Sequence, residues 1–302
     1  MSESTLITRN EPPEFSELAK FLWSAKLMIL GISFIFAIAG VMLALSLPNT
    51  YRSSVVLAPT QSLKNASADL GSSLGGLAAL AGISPAQNGG FKTEVALAKL
   101  QSKEFLYRLF DEQNLIIPLI ASKSWDAETN TLTLDEAIID PKTTQFLELD
   151  ERAQLWETYK AFSKMLSVEE QRNGMFTISF EHLSPYFAQK ILDTLISEIN
   201  QTMQTYDIKQ AEKSIEYLNR KLEQTTIADM QVVFYRLIEE QTKQKMLTEI
   251  EDEYIFTTID PPSFEEEKYA PKRAFIVIIL TILGGLFATF IYLVRFYSQR
   301  NR

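Results

Sequence analysis

The 302-residue chain has no cysteine and a single histidine, His182. Without thiols it forms no disulfide and does no thiol redox chemistry, so any large exported region must be held together by its own core. With one histidine and no cysteine, a zinc site would need mostly carboxylates, which are a poor zinc ligand set. The runs Glu251-Asp252-Glu253 and Glu265-Glu266-Glu267 read as solvated charge rather than as seats for a hard cation. There is no G-x-x-x-x-G-K-[ST] phosphate loop, which excludes a nucleotide-hydrolysing domain of that type. Gly71-Ser72-Ser73-Leu74-Gly75 has the spacing of a nucleophile elbow. Polar Asn65-Ala66-Ser67-Ala68-Asp69-Leu70 stands where the elbow needs a hydrophobic strand, so the segment reads as a glycine-serine loop. His182, between a strand and a helix cap, reads as a solvated turn residue. The chain is expected to be no enzyme and to bind no cofactor.

Charge is missing in two places. Leu27 to Leu47 and Ala274 to Val294 are each 21 residues without a charged side chain, against about 20 needed to cross a bilayer core. Both must be helical, because a segment alone in lipid has only itself to satisfy its amides. The first is no signal peptide: 26 mostly polar residues precede it, and Leu47-Pro48-Asn49 lacks a small-x-small cleavage site. Lys272, Arg273 and Arg295 bracket the second as interfacial anchors do. Lys20 and Lys26 before the first span, with Arg295, Arg300 and Arg302 after the second, place both termini in the cytoplasm. Lys268, Lys272 and Arg273 oppose this but belong to a 226-residue loop, and long loops cross largely regardless of charge. That loop carries 23 Lys and Arg against 34 Asp and Glu, an acidic balance that argues against a nucleic-acid partner.

The resulting plan is a cytoplasmic segment 1–26, a transmembrane helix 27–47, an exported domain 48–273, a transmembrane helix 274–294 and a cytoplasmic tail 295–302. Within the exported domain, Tyr51 to Leu57 reads as a strand closed by Ala58-Pro59, and residues 60–90 as a loop-rich insertion. Apolar residues from Phe91 to Phe110 predict one helix, and another is expected over 149–162. Asn173-Gly174 between two alternating segments predicts a hairpin. Ser184-Pro185 then starts a helix.

After Pro185 neither glycine nor proline occurs until Pro261. Leu192, Leu195 and Ile199 belong to one helical stripe running to about Gln224, a rod of about 60 Å. Thr226 and Asp229 suggest a capping box for a second helix, and Glu253 to Ile259 a returning strand ended by Asp260-Pro261-Pro262. The fold class is therefore α+β, with two transmembrane helices flanking a mixed base (48–184 and 253–273) and a long protruding helical arm (185–252). An arm that outruns its own domain predicts self-assembly, with Leu192, Leu195 and Ile199 as its contact face. Inside the spans, Ser33 with Ala37, Gly40 with Ala44, Thr281 with Gly285 and Gly284 with Ala288 recur at the four-residue spacing that lets helices approach closely.

These pieces together resemble the Wzz polysaccharide co-polymerases, the chain-length determinants. The resemblance rests on Pro48, Tyr51 and Pro59; on Leu74-Gly75-Gly76-Leu77-Ala78-Ala79-Leu80-Ala81-Gly82; on Leu100-Gln101-Ser102-Lys103-Glu104-Phe105-Leu106; and on Ser184-Pro185 through Ile199-Asn200. Ser214-Ile215-Glu216-Tyr217-Leu218, Tyr235-Arg236-Leu237-Ile238-Glu239 and the proline-rich approach Pro261, Pro262, Pro271, Lys272, Arg273 leading to Gly284 and Gly285 extend it. Where the family usually has a further proline before Pro271, this chain has Phe264 and three glutamates. The resemblance implies a bacterial inner-membrane protein with its central domain in the periplasm. It implies a ring of about eight copies that sets the modal length of a lipid-linked (undecaprenyl) glycan built by a separate Wzy-type polymerase, most often lipopolysaccharide O-antigen. It also allows a co-polymerase for capsule or exopolysaccharide paired with a separately encoded tyrosine kinase. A two-span sensor fits the layout too, but the short cytoplasmic pieces offer it nothing to signal with.

Overall fold

A computed structural model describes residues 23, 25–60, 86–140, 143, 145–264 and 267–300. The glycine-serine segment with the elbow-like spacing lies outside these residues, as do most of the 60–90 insertion, Glu265 and Glu266. The chain divides into two compact units, Met1–Asn49 with Ala270–Arg302, and Thr50–Tyr269.

In the first unit, α1 (Lys26–Ser46) is a single 21-residue helix. Its partner is the helix Arg273–Arg300, numbered α8 below. Both are long and apolar enough to cross a membrane. Most of their leucine, isoleucine and phenylalanine side chains point outward, which water would penalise and hydrocarbon would not.

The second unit is built on a four-stranded antiparallel sheet of order β4-β5-β1-β6, from β1 (Tyr51–Pro59), β4 (Leu166–Glu170), β5 (Phe176–His182) and β6 (Phe256–Phe264). Ser53, Val55 and Leu57 alternate inward from β1, as do Phe176, Ile178 and Phe180 from β5. Asn173-Gly174 forms the β4–β5 turn, and Gly174 sits at φ +77°, where a side chain would be strained. Between β1 and β4 lie α2 (Ala86–Leu100), α3 (Lys103–Glu112), α4 (Ile116–Ile120), the two-stranded β2 (Ser122–Asp126) with β3 (Thr131–Leu134), and α5 (Glu151–Met165). The expected single helix over 91–110 is two, because Ser102 adopts extended backbone and its Oγ accepts from the Phe105 N–H, starting a new helix.

The long helix α6 runs from Pro185 to Gln224, with Ser184 Oγ accepting from the Phe187 N–H. The helix α7 (Ala228–Glu249) returns antiparallel to it, with Lys245 Nζ 2.8 Å from Glu212 Oε1. The expected capping box does not form. Ile227 is the N-cap, no side chain caps it, and Gln231 Nε2 instead donates to the Thr225 carbonyl. The strand β6 does not stop at Pro261-Pro262 but continues to Phe264. It is an edge strand with its register broken between Ser54 and Val56 of β1. Proline is tolerated at such an edge bulge because no ladder donor is required there.

His182 is a further correction, for it is 2% exposed rather than solvated. Its Nδ1 accepts from the Ser184 N–H, so the ring proton lies on Nε2 and is donated to the Pro118 carbonyl, 3.1 Å away. Burial holds the imidazole down at about 4 from an ordinary 6.5. The unfolded chain therefore takes up a proton through pH 6.5 that the folded chain refuses until about pH 4. The stability this site contributes is complete above pH 6.5 and is lost as the pH falls through that window. Between pH 7 and pH 5 the loss is about 2 kcal/mol. Urea unfolding of the detergent-solubilised chain at the two values should show it, and His182→Gln should show a correspondingly smaller drop. Equal slopes for both proteins would remove His182 as the cause.

Candidate functional site

The most distinctive geometry is the seam between the two apolar helices. Along α1 the inward positions are Ser33, Phe36, Ala37, Gly40 and Ala44; along α8 they are Val277, Leu280, Thr281, Gly284, Gly285 and Ala288. Gly40 lies against Val277 and Leu280, Phe36 against Gly284, and Ser33 against Gly285, so the helices run antiparallel. A Cβ placed on Gly284 would stand 2.6 Å from Phe36 Cβ and 2.7 Å from its Cγ, closer than carbon atoms pack. On Gly285 it would meet Ser33 Oγ at 3.2 Å, and on Gly40 it would crowd Leu280 Cβ and Val277 Cα at 3.3 Å. Ala44 and Ala288 are buried in the same unit. The Phe36 ring, seated over Gly284, also meets Phe287 with centroids 6.1 Å apart.

Such a seam suits lipid, where apolar helices gain little from hiding from their solvent and association depends on close packing. The threonine hydroxyls within the spans are satisfied by their own helix, Thr281 donating to the Val277 carbonyl and Thr289 to the Gly285 carbonyl. At one end of α1, Lys26 lies over the Trp23 ring, 4.9 Å from its centroid, the amphipathic pairing of a membrane boundary.

The residues grouped in the sequence as a proline-rich linker are separated by the fold. Pro261 and Pro262 belong to the edge strand β6, and Gln189 Nε2 donates to the Pro262 carbonyl. Pro271 and exposed Lys272 precede α8, and Arg273 begins it with its guanidinium donating to Asn49 Oδ1. The three prolines therefore do not form one stiff connection.

The proposed contact face of the arm is also corrected. Leu192, Leu195 and Ile199 are each 0% exposed and pack in the protomer's own core with Val55, Leu57, Ile178 and Phe180. The sheet covers the first half of the α6 stripe, so these three side chains are unavailable to another copy. Most of the arm's exposed apolar residues lie instead on and beside α7, among them Ile227, Val232, Val233, Tyr235 and Ile250, with Tyr206 and Tyr217 exposed on α6.

A polar clamp at the junction of arm and sheet was missed by the sequence reading. Asn200 is buried, and its Oδ1 accepts from the Ile255 and Phe256 N–H groups while its Nδ2 donates to the Phe256 carbonyl. One turn on, Gln204 Nε2 donates to the Thr248 and Glu251 carbonyls. Asp207 follows, taking hydrogen bonds from Lys92 Nζ and the Tyr254 hydroxyl. Burial and the neighbouring Asp207 carboxylate push the Tyr254 hydroxyl pKa well up. Amide and carboxylate side chains at i, i+4 and i+7 beside an apolar stripe were the available signal. Together they fasten the chain where it leaves α7 and enters β6.

Among the described residues no group of three or more His, Asp or Glu side chains is placed to hold a metal ion. No curated protein matches the chain. A solved structure described as a full-length bacterial polysaccharide co-polymerase is similar at 15% identity and a TM-score of 0.39, over 95% of this chain and 99% of that one. Residues 14–113, which hold α1, β1, α2 and α3, match the Wzz family, chain length determinant protein.

Proposed function

We propose that the protein regulates the chain length of a surface polysaccharide without catalysing its synthesis, and that the polysaccharide is lipopolysaccharide O-antigen. The match of residues 14–113 to the chain length determinants carries this reading. The two terminal apolar helices support it, since they tether the 50–269 unit to the membrane in which lipid-linked glycan is made. In this reading the protein sits in the bacterial inner membrane with both termini cytoplasmic and the Thr50–Tyr269 unit periplasmic. It assembles with copies of itself, as the exposed apolar side chains of α7 favour, and acts on a Wzy-type polymerase that extends undecaprenyl-linked glycan.

Deleting the gene tests the glycan and the role together. A separate polymerase would still make polymer, so a gel of the surface lipopolysaccharide should lose its modal band cluster and keep a ladder of unregulated lengths. An unchanged ladder, with the modal length lost from a capsule or exopolysaccharide instead, would contradict the O-antigen assignment.

A further inference from the structure

Four aromatic side chains from four separate elements meet in the Thr50–Tyr269 unit: Tyr51 at the start of β1, Trp125 on β2, Tyr186 in the first turn of α6 and Phe264 at the end of β6. Tyr51 and Trp125 meet edge to face at 5.3 Å, Trp125 and Tyr186 lie 6.2 Å apart, and Tyr186 meets Phe264 at 4.9 Å. The cluster is not closed over. Tyr186 is 50% exposed and the other three are only half-buried.

The chain fixes what this surface can face. The Tyr269 N–H donates to the Thr50 carbonyl at 2.9 Å, so the two ends of the unit are fastened side by side. Ser46, the last residue of α1, precedes Tyr51 by five residues, at most about 17 Å of chain. Tyr269 precedes Arg273, the first residue of α8, by four, at most about 14 Å. A headgroup layer is about 5–8 Å deep on each side of the hydrocarbon, so both ends lie within about 10 Å of it if α1 and α8 span. Tryptophan and tyrosine, with an apolar body and a polar tip, favour that layer. The Trp125 Nε1–H keeps its polar end satisfied on Asn130 Oδ1. Cations sit beside the same ends: the Arg52 guanidinium lies 3.6 Å over the Tyr269 ring, and Lys268 and Lys272 are exposed.

We propose that Tyr51, Trp125, Tyr186 and Phe264 form a lipid-contacting surface that seats the Thr50–Tyr269 unit in the headgroup layer of the bilayer. The proposal rests on the reading of α1 and α8 as membrane spans. Insertion in the headgroup layer would limit tilting of the unit about its two short tethers.

The chain has three tryptophans, Trp23, Trp125 and Trp156, which permits a direct depth measurement on the full-length protein in phosphatidylcholine vesicles. A variant with Trp23→Phe and Trp156→Phe leaves Trp125 as the sole emitter. Its fluorescence should be quenched by lipid brominated near the headgroup end of the acyl chain, and less by lipid brominated deeper. A second variant with Trp125→Phe and Trp156→Phe reports Trp23 beside the first span. Quenching of Trp23 without quenching of Trp125 overturns the proposal and leaves the spans intact, whereas an unquenched Trp23 overturns the spanning reading and the proposal with it. Because the chain has no cysteine, Leu132→Cys, directly opposite Trp125 on the neighbouring strand β3, gives an independent check with a nitroxide label. Its spectrum should respond more to oxygen than to a water-soluble nickel chelate, and Asn219→Cys, about 50 Å along α6 from Tyr186, should show the reverse. A label at 132 as open to nickel as that at 219 overturns the proposal.

Discussion

Replacing Gly284 and Gly285 together by leucine is expected to leave the protein in the membrane and abolish its control of glycan length. The double substitution keeps α8 uncharged and apolar, so insertion is preserved. A Cβ at Gly284 already stands 2.6 Å from the Phe36 side chain, attached directly to its backbone rather than at a flexible tip, and the rest of a leucine needs more room still. The helices must separate or rotate. The packing lost at the seam is not replaced by any hydrophobic drive between apolar helices in lipid. Membrane level by immunoblot and the lipopolysaccharide ladder are the readouts, with Gly31→Leu as the control because nothing lies within 4 Å of a Cβ there. A normal modal length from the double variant would mean that length is set entirely by the Thr50–Tyr269 unit.

The second large effect is expected at Asn200. Alanine there strips an acceptor from the Ile255 and Phe256 N–H groups and a donor from the Phe256 carbonyl, in the interior. Buried polar groups left unpaired cost about 1–3 kcal/mol each. Asn200→Ala should therefore destabilise the Thr50–Tyr269 unit by about 3 kcal/mol or more, while Lys209→Ala on the exposed side of the helix should stay within about 0.5 kcal/mol. Amide exchange adds a local signature, since the Ile255 and Phe256 amides should lose protection before the β1–β5 ladder does. A loss of stability with unaltered protection at those two amides would show that the clamp is not what holds β6.

Much of the fold was legible because its signals are local. Uncharged runs marked α1 and α8, Asn173-Gly174 marked the one described glycine at positive φ, and Ser184-Pro185 with the long absence of glycine and proline gave α6 its ends at Pro185 and Gln224. Failures came where a distant element decides. Periodicity showed that Leu192, Leu195 and Ile199 share a face, but only the arrival of the sheet shows that this face is the protomer's own core. Pro261 and Pro262 read as the end of a strand because proline removes a donor, and the edge position of β6 makes that donor unnecessary. His182 read as solvated because Pro118, whose carbonyl receives its proton, is 64 residues away. At the seam, four-residue spacing named Gly40, Ala44, Gly284 and Gly285 but left the partner helix open. The short hairpin β2–β3 went unread, and with it Trp125 as the centre of an aromatic cluster.

Reconstitution tests the central claim most directly, with the purified protein, a purified Wzy-type polymerase and undecaprenyl-linked repeat units in vesicles. The protein alone should leave the repeat units unextended. Added to the polymerase, it should draw a broad length distribution into a narrow one around a mode without being consumed. Extension without the polymerase, or a length distribution unaffected by the protein at any ratio, would contradict the account.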